Sequence, residues 1–425
     1  MRGAWLTGAG ALLALVVAGA LTTPWKVLPA AEAHRATANG HLDFTAAEFA
    51  REAEFHHLVR PPSYLGLLLS LLVAALLGFT PLGARIITAV SAGRWWLGVL
   101  AGGAICVLLP RLTSMLASAR SEQVLRSYGL SNQTWSGWLT DQFRGTGVGL
   151  ALTLPALLLV VFLARRMTTH WWIAAAGGAA ILTVVMSFLY PVVVEPIYNS
   201  FHPLEAGVLR KSLISMADQD GIRVKDVLVA DASRRTTALN AYVSGFGSSR
   251  RIVLYDTLLA QATPDEVRLV VAHELGHVKH HDVARGTALG ALGAVAGLAL
   301  LAGALGSSWL RQRAGFASAA DPRAVAAILA LAALIGTLVG PVVNLVSRRV
   351  EAHADLHALE LTHDPKTFID VERRLALTNI ASLGGNHTSY VIFGSHPSTP
   401  DRIAMARAWA SAHDLPVPPP LVAQR

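Results

Sequence analysis

The run His273-Glu274-Leu275-Gly276-His277 sets two imidazoles four residues apart with a carboxylate beside the first. On a helix, positions i and i+4 share a face, so both rings can reach one zinc ion. Glu274 lies next to that face, where it can take a proton from a zinc-polarised water, the arrangement of a hydrolytic metal site. Three fixed positions in a row of five also arise by chance, so the flanking residues matter. Pro264-Asp265-Glu266 reads as a helix start, with proline in the first turn and acids where the dipole favours them. Val267 to Ala272 continues it as an apolar stripe, which puts the pentapeptide on a helix.

Zinc needs at least a third protein ligand, and a hydrolytic site leaves the fourth position for water. In Ser347-Arg348-Arg349-Val350-Glu351-Ala352-His353-Ala354-Asp355, the acids Glu351 and Asp355 fall on one helical face directly after an apolar run. Glu351 is the expected third ligand of a single zinc per chain, and Asp355 the carboxylate that orients a ligating histidine. His353 and Asp355 are next in line as ligands. The plainer reading of the segment is a charged helix end closing a membrane span, its arginines and acids solvated.

With those two segments the chain resembles the Ste24-like integral-membrane zinc proteases of the M48 class, whose eukaryotic members trim prenylated CAAX proteins. HELGH matches the zinc helix of that family, and Ser347-Arg348, Glu351 and Ala354-Asp355 match its S-R-x-x-E-x-x-A-D signature. Asn240 to Phe246 and Arg251 to Leu259 look like the strand pair before the zinc helix. Ser395-His396-Pro397 with Arg402 resembles the late H-P-x-x-x-x-R element, and Tyr128 to Trp135 with Trp138 and Asp141 resembles the N-terminal membrane region. The resemblance implies a mainly α polytopic membrane protein of about seven spans, with a gluzincin-type protease region containing a small β-sheet. It also implies a place near the zinc for His396, and a catalytic region on the cytoplasmic side of the cell membrane.

Composition demands a membrane independently. The 425 residues are 53% hydrophobic and 15% charged, and the mean hydropathy is +0.47, more apolar surface than a soluble chain of this length can hide. Uncharged apolar runs occupy 4–23, 64–82, 95–109, 147–164, 171–190, 287–310 and 324–346. Most approach the roughly 20 residues that cross the hydrocarbon core. The third, ending at Pro110, is the weakest, although Trp95 and Trp96 suit an interfacial belt. The first has a rival reading as a signal peptide cleaved near Ala31-Glu32-Ala33, but its unbroken run from Gly3 to Trp25 exceeds the usual signal core of about 7 to 15 residues.

The expected organisation is a membrane region over 1–190, with five spans, and a peptidase region over 191–425, with zinc helix, two further spans and a helical tail. Two spans between HELGH and Glu351 return the chain to the same side, as a shared zinc requires. Short-loop arginines at 85, 94, 165, 166, 311 and 313 lie opposite the catalytic side and by the positive-inside rule pull against a cytoplasmic site; Arg111, Arg120, Arg126 and Arg144 pull the other way. The proline-rich end, 416–420, reads as extended and loosely held.

A net charge of +8 suits anionic lipid headgroups. No basic patch with interleaved aromatics argues for nucleic acid, the single Cys106 excludes an intrachain disulfide and a cysteine-rich metal site, and no phosphate-binding glycine loop has the required spacing. The expected partners are therefore the bilayer and a peptide or protein substrate, itself membrane-associated or not. In the expected chemistry, zinc on His273, His277 and Glu351 polarises the scissile carbonyl, with Glu274 as general base. His396 would donate to the oxyanion. Arg402 would anchor its turn or pair with Asp355, and Asn240, Ala241, Tyr242 and Val243 would bind substrate as an added strand. His280, His281, His353, His357 and His387 read as surface or interfacial residues, and Asp282 and Arg285 as charges ending the zinc helix. The alternatives are an HtpX-like quality-control protease, against which five spans before HELGH argue, and a non-catalytic seven-helix scaffold or transporter. A scaffold has no use for carboxylates such as Glu274 and Glu351 near membrane depth, where they are costly.

Overall fold

The computed structural model describes residues 2–28, 36–384 and 387–422. Among them, seven helices are long and apolar enough to cross a membrane. Five precede the small sheet: α1 (Arg2–Thr22), α2 (Ala46–Phe79), α3 (Trp95–Ser127), α4 (Trp135–Arg166) and α5 (Trp171–Tyr198). The helix of the HELGH run, α6 (Pro264–Lys279), follows the small sheet. Beyond it come α7 (Asp282–Leu305) and α8 (Val325–Thr362), then α9 (Pro365–Asn379) and α10 (Thr399–Ala412).

Most spans run well past the limits that hydropathy suggests. The third does not stop at Pro110 but continues to Ser127, with Pro110 buried inside it. Such a proline is tolerated in a bundle because neighbouring helices and local π-helical adjustments re-satisfy the backbone. A π-helical turn does occur at Gly98–Gly102. There the backbone lies so close to Ile87 that a Cβ on Gly102 would meet its Cγ1 at 2.6 Å. The second span starts eighteen residues early, at a capping box in which Thr45 N–H donates to Glu48 Oε2 (2.7 Å) and Glu48 N–H to Thr45 Oγ1 (3.3 Å). The sixth ends at Leu305, and the loop expected after it begins instead with a short helix, Ser308–Ala314.

α1 belongs to the bundle. It runs antiparallel to α7, with Gly8 against Leu300 and the indole of Trp5 over Gly303. Ala31 to Ala33, on which a signal-peptide reading depends, lie outside the described residues.

The sheet has the order β1-β2-β4-β3, from β1 (Phe201–Pro203), β2 (Asp226–Ala230), β3 (Ala241–Ser244) and β4 (Arg251–Tyr255). β2 and β4 are parallel, while the outer strands are antiparallel to their neighbours. β1, three residues ending in proline, carries too little alternation to be read from sequence. β3, the anticipated substrate strand, lies at an edge of the sheet.

The sheet and α6, which precede the last two spans, share one core with the end of α8 and with α9 and α10. Ile252 and Leu254 from the sheet, Val271 and Leu275 from α6, Leu359 from α8, Phe368 from α9 and Trp409 from α10 pack in the same buried cluster. The proline-rich end is not loosely held. Arg407 donates to the carbonyls of Pro418 and Pro419 (both 3.0 Å) while pairing with the buried Asp43, and Val422 N–H donates to Leu42 O (3.0 Å). A buried carboxylate with a guanidinium partner supplies the anchorage that composition does not report.

This arrangement sets a topological expectation. A cysteine label in the connection 311–323 and one appended after Arg425 react from opposite sides of the membrane; labelling from a single side would contradict the crossing of α8.

Candidate active site

α6 begins where the sequence signals it. Thr263 caps it, its N–H donating to Glu266 Oε2 (2.7 Å) and its Oγ1 accepting from Glu266 N–H, with Pro264 in the first turn. Val267, Val271 and Leu275, at helical spacing, are buried against the peptidase core. That seating turns His273 and His277 to the opposite, partly open face, one turn apart.

α8 meets α6 there because residue 276 is glycine. A Cβ on Gly276 would stand 3.1 Å from both Ala354 Cα and His357 Cβ, so the two backbones touch at this level. The contact brings Glu351 to the histidines. His273 Nε2 is 3.2 Å from His277 Nε2 and 3.3 Å from Glu351 Oε2, and His277 Nε2 is 3.8 Å from Glu351 Oε1.

The opposite ring nitrogens are committed. His273 Nδ1 donates to Asp355 Oδ1 (2.8 Å) and His277 Nδ1 to Asp282 Oδ2 (2.9 Å). Ionised carboxylates only accept, so each neutral ring carries its proton on Nδ1 and presents a lone pair from Nε2. With the ring protons on Nδ1, two lone pairs and a carboxylate oxygen converge, a donor set that fits a cation. Two of the separations match the ~3.3 Å edge of a tetrahedron around zinc with bonds of about 2.05 Å, and the third, at 3.8 Å, is longer. Among the described residues, His273, His277 and Glu351 are the one group of three with this geometry.

Asp355 has no exposed surface and also receives the guanidinium of Arg402, whose Nε lies 2.8 Å from Oδ2 and whose Nη2 contacts Oδ1. Arg402 Nη1 reaches the buried Glu372 at 2.6 Å. Of the two uses that sequence allowed for Arg402, the structure has the pairing with Asp355. Asp282, read as a charge ending α6, instead sits against His277. His281 makes this possible with φ at +57°, a left-handed residue that turns the chain sharply between α6 and α7. Arg285 in turn flanks Asp282 at 3.4 Å. A ligating histidine needs an acceptor at its far nitrogen, and the nearest acid beyond the helix was a usable signal for Asp282; Glu372 left none.

Glu274 faces the same cavity and, among the described residues, makes no hydrogen bond or ion pair. Burial raises its pKa above the usual carboxylate value, against the opposing pull of His273 and His277. The cavity, about 720 Å³, is lined by His273, Glu274, His277 and Glu351, by Asn240, Ala241 and Tyr242 at the start of β3, and by His396 beside Glu351. Val243 does not join that lining; it packs against the buried cluster that includes Ala241. His396 stands on an exposed turn, its Nε2 3.4 Å from Glu351 Oε2 and its Nδ1 2.9 Å from Ser395 Oγ. Tyr242 and Ser244 reach Glu195, at the membrane end of α5, at 3.4 and 3.3 Å.

The remaining histidines stay outside the cluster. His357 is not a surface residue: it is buried and paired with Asp220 (2.9 Å), which also binds Lys279. His280 and His353 stack with ring centres 3.8 Å apart.

Residues 203–410 match the profile described as peptidase family M48, and residues 63–200 the profile described as CAAX prenyl protease N-terminal, five membrane helices. An uncharacterized metalloprotease of Bacillus subtilis (strain 168) is 30% identical over 286 residues, 67% of each chain. CAAX prenyl protease 1 of Saccharomyces cerevisiae is 31% identical over 214 residues, 50% of this chain and 46% of that one. The CAAX prenyl protease 1 homolog of Oryza sativa is 33% identical over 171 residues, 40% of each. The matched stretch thus spans less than half the length of these two eukaryotic relatives. The crystal structure of S. mikatae Ste24p shares the fold, with a TM-score of 0.75 at 21% identity over 94% of this chain and 98% of that one. The chain belongs to peptidase family M48 and is a Ste24-like, multi-pass membrane metalloprotease.

Proposed function

We propose that the protein is a zinc-dependent endopeptidase in which Glu274 is the general base. The observation that carries this is the convergence of two Nε2 atoms and a Glu351 oxygen beside a carboxylate, Glu274, that has no hydrogen-bond or ion-pair partner among the described residues. When bound by His273, His277 and Glu351, zinc supplies a Lewis acid for the scissile carbonyl and for the attacking water. Glu274 accepts the proton of that water and returns one to the leaving amine, a shuttle suited by its raised pKa. Asp355 and Asp282 keep both imidazoles in the tautomer that leaves Nε2 free. His396, beside Glu351 on the cavity wall, donates a hydrogen bond to the oxyanion as it forms. The free edge of β3 at Asn240 to Tyr242 takes an extended peptide by main-chain hydrogen bonds.

The two-region division, 1–190 and 191–425, follows the same reading, the first region forming the membrane frame and the second the peptidase. Substrates are peptides or proteins that reach the cavity at the membrane face, since β3 and the cavity are tied to the end of α5 through Glu195. The names of the eukaryotic relatives favour the C-terminal segments of membrane-attached proteins. We place the protein in the cell membrane with this face cytoplasmic, as the family resemblance implies.

Four variants test the assignment, each assayed for metal content and for cleavage of a generic peptide. Glu274→Gln keeps its zinc and loses at least about 10²-fold in kcat, the effect of removing a general base; near-normal turnover would remove the mechanism. Glu351→Ala loses the metal, whereas Asp282→Ala binds it roughly 10- to 100-fold more weakly because only ring orientation is lost. Full occupancy in Glu351→Ala would send the third ligand elsewhere. His396→Ala lowers kcat by about 10²-fold with zinc content and KM nearly unchanged, since the donor acts only in the transition state; an unchanged kcat returns His396 to a structural role.

A further inference from the structure

The bundle end away from the cavity is unusually cationic. Three connections meet there: Gly315 lies against Pro81, Gly98 against Pro322, and Arg165 Nη1 donates to Ala320 O (3.3 Å). They carry Arg85, Arg94, Arg165, Arg166, Arg311 and Arg313, and their one acid, Asp321, is already taken by Arg323 at 2.7 Å and by Ala317 N–H at 2.8 Å. None of those six arginines forms an ion pair among the described residues.

Two of them line a hollow of about 530 Å³ together with Trp95, Phe162 and Ala320. The guanidinium of Arg165 lies 5.1 Å above the Trp95 ring, and that of Arg166 lies 5.8 Å above the Phe162 ring. Stacking on a ring holds a guanidinium as an oriented plane while leaving its N–H edge for an anion. On the far side of Ala320 a second hollow of about 250 Å³ is lined by Arg311, whose Nε is buried without a hydrogen-bond partner. Cations are thus gathered, oriented and in one case unsatisfied, where an anionic ligand would complete them.

The surroundings indicate what that anion belongs to. The hollow opens at the end of α4, and Leu152, Leu159 and Phe162 are 44%, 49% and 43% exposed at helical spacing along it, running from the hollow into the depth of the span. A soluble phosphate would use the arginines and leave this stripe unused; a lipid uses both. We propose that the Arg165–Arg166 hollow binds the phosphate headgroup of an anionic phospholipid in the leaflet opposite the catalytic face, with an acyl chain along the Leu152–Leu159–Phe162 stripe. The site stands apart from the metal cluster, so it does not depend on the assignment of the catalytic residues.

Native mass spectrometry of the full-length protein, equilibrated in detergent with equimolar phosphatidylglycerol and phosphatidylcholine, tests this. The wild type retains phosphatidylglycerol at least about tenfold in preference. Arg166→Gln, which breaks no hydrogen bond within the protein, lowers that preference roughly fivefold, and Arg165→Gln/Arg166→Gln abolishes most of it. Arg223→Gln, an exposed arginine of the peptidase region, leaves it unchanged. Equal retention of the two lipids by the wild type, or an undiminished preference in Arg166→Gln, overturns the proposal. Displacement of the lipid by millimolar inorganic phosphate also overturns it, by showing that the headgroup alone is recognised and the stripe contributes nothing.

Discussion

The Asp355 carboxylate, fully buried on α8, is the contact on which the rest of the site depends. It accepts from His273 on α6 and from Arg402 on α10, and Arg402 carries the connection on to Glu372 on α9. Four helices are fixed in relation to one another by a single chain of charge-assisted hydrogen bonds. Removing one member of such a buried set costs about 3–5 kcal/mol because a charge is left without a partner. A lysine at 402 could not serve, since only a planar fork reaches two carboxylates in fixed directions. The residue that holds Nδ1 of His273 is therefore also one that joins α6, α8, α9 and α10 of the peptidase core.

The same helix couples that core to the membrane. α8 runs unbroken for 38 residues, about 57 Å at 1.5 Å per residue, so the segment that crosses the bilayer and the segment that carries Glu351 and Asp355 are one rod. Its position against α6 is set by the glycine at 276, where the backbones meet without side chains between them. β3 is tied to the membrane in a parallel way, through Glu195 at the end of α5. The cavity is consequently framed on both sides by elements rooted in the bundle, which gives a soluble-looking site a fixed place relative to the bilayer face.

Much of this was legible from residue types. The i, i+4 histidines, the helix start at Pro264, the seven apolar runs and the return of the chain to one side after two spans all follow from local periodicity, because helices and spans are local objects whose signals lie within a few turns. Glu351 and Asp355 were legible from their shared helical face and the resemblance added His396 and Arg402; Glu351, His396 and Arg402 line one cavity, with Asp355 buried behind His273. Span ends were read poorly, at Pro110 and at Ala46 alike, because hydropathy marks where lipid begins and not where a helix can continue by packing on its neighbours.

What sequence determined by itself was the kind of chemistry and the medium: two imidazoles on one helical face with a carboxylate beside the first, in a chain too apolar for water. Tertiary structure decided the rest. It chose Asp282 as the partner of His277 through a left-handed turn at His281, recruited Glu372 beneath Arg402, turned Val243 into the core, and fastened the proline-rich end to Asp43. Each of these is a contact between groups whose meeting depends on chain direction after a turn or on the approach of distant helices. Periodicity records which face a residue occupies, whereas the partner on the other side of that face is fixed only when the core closes.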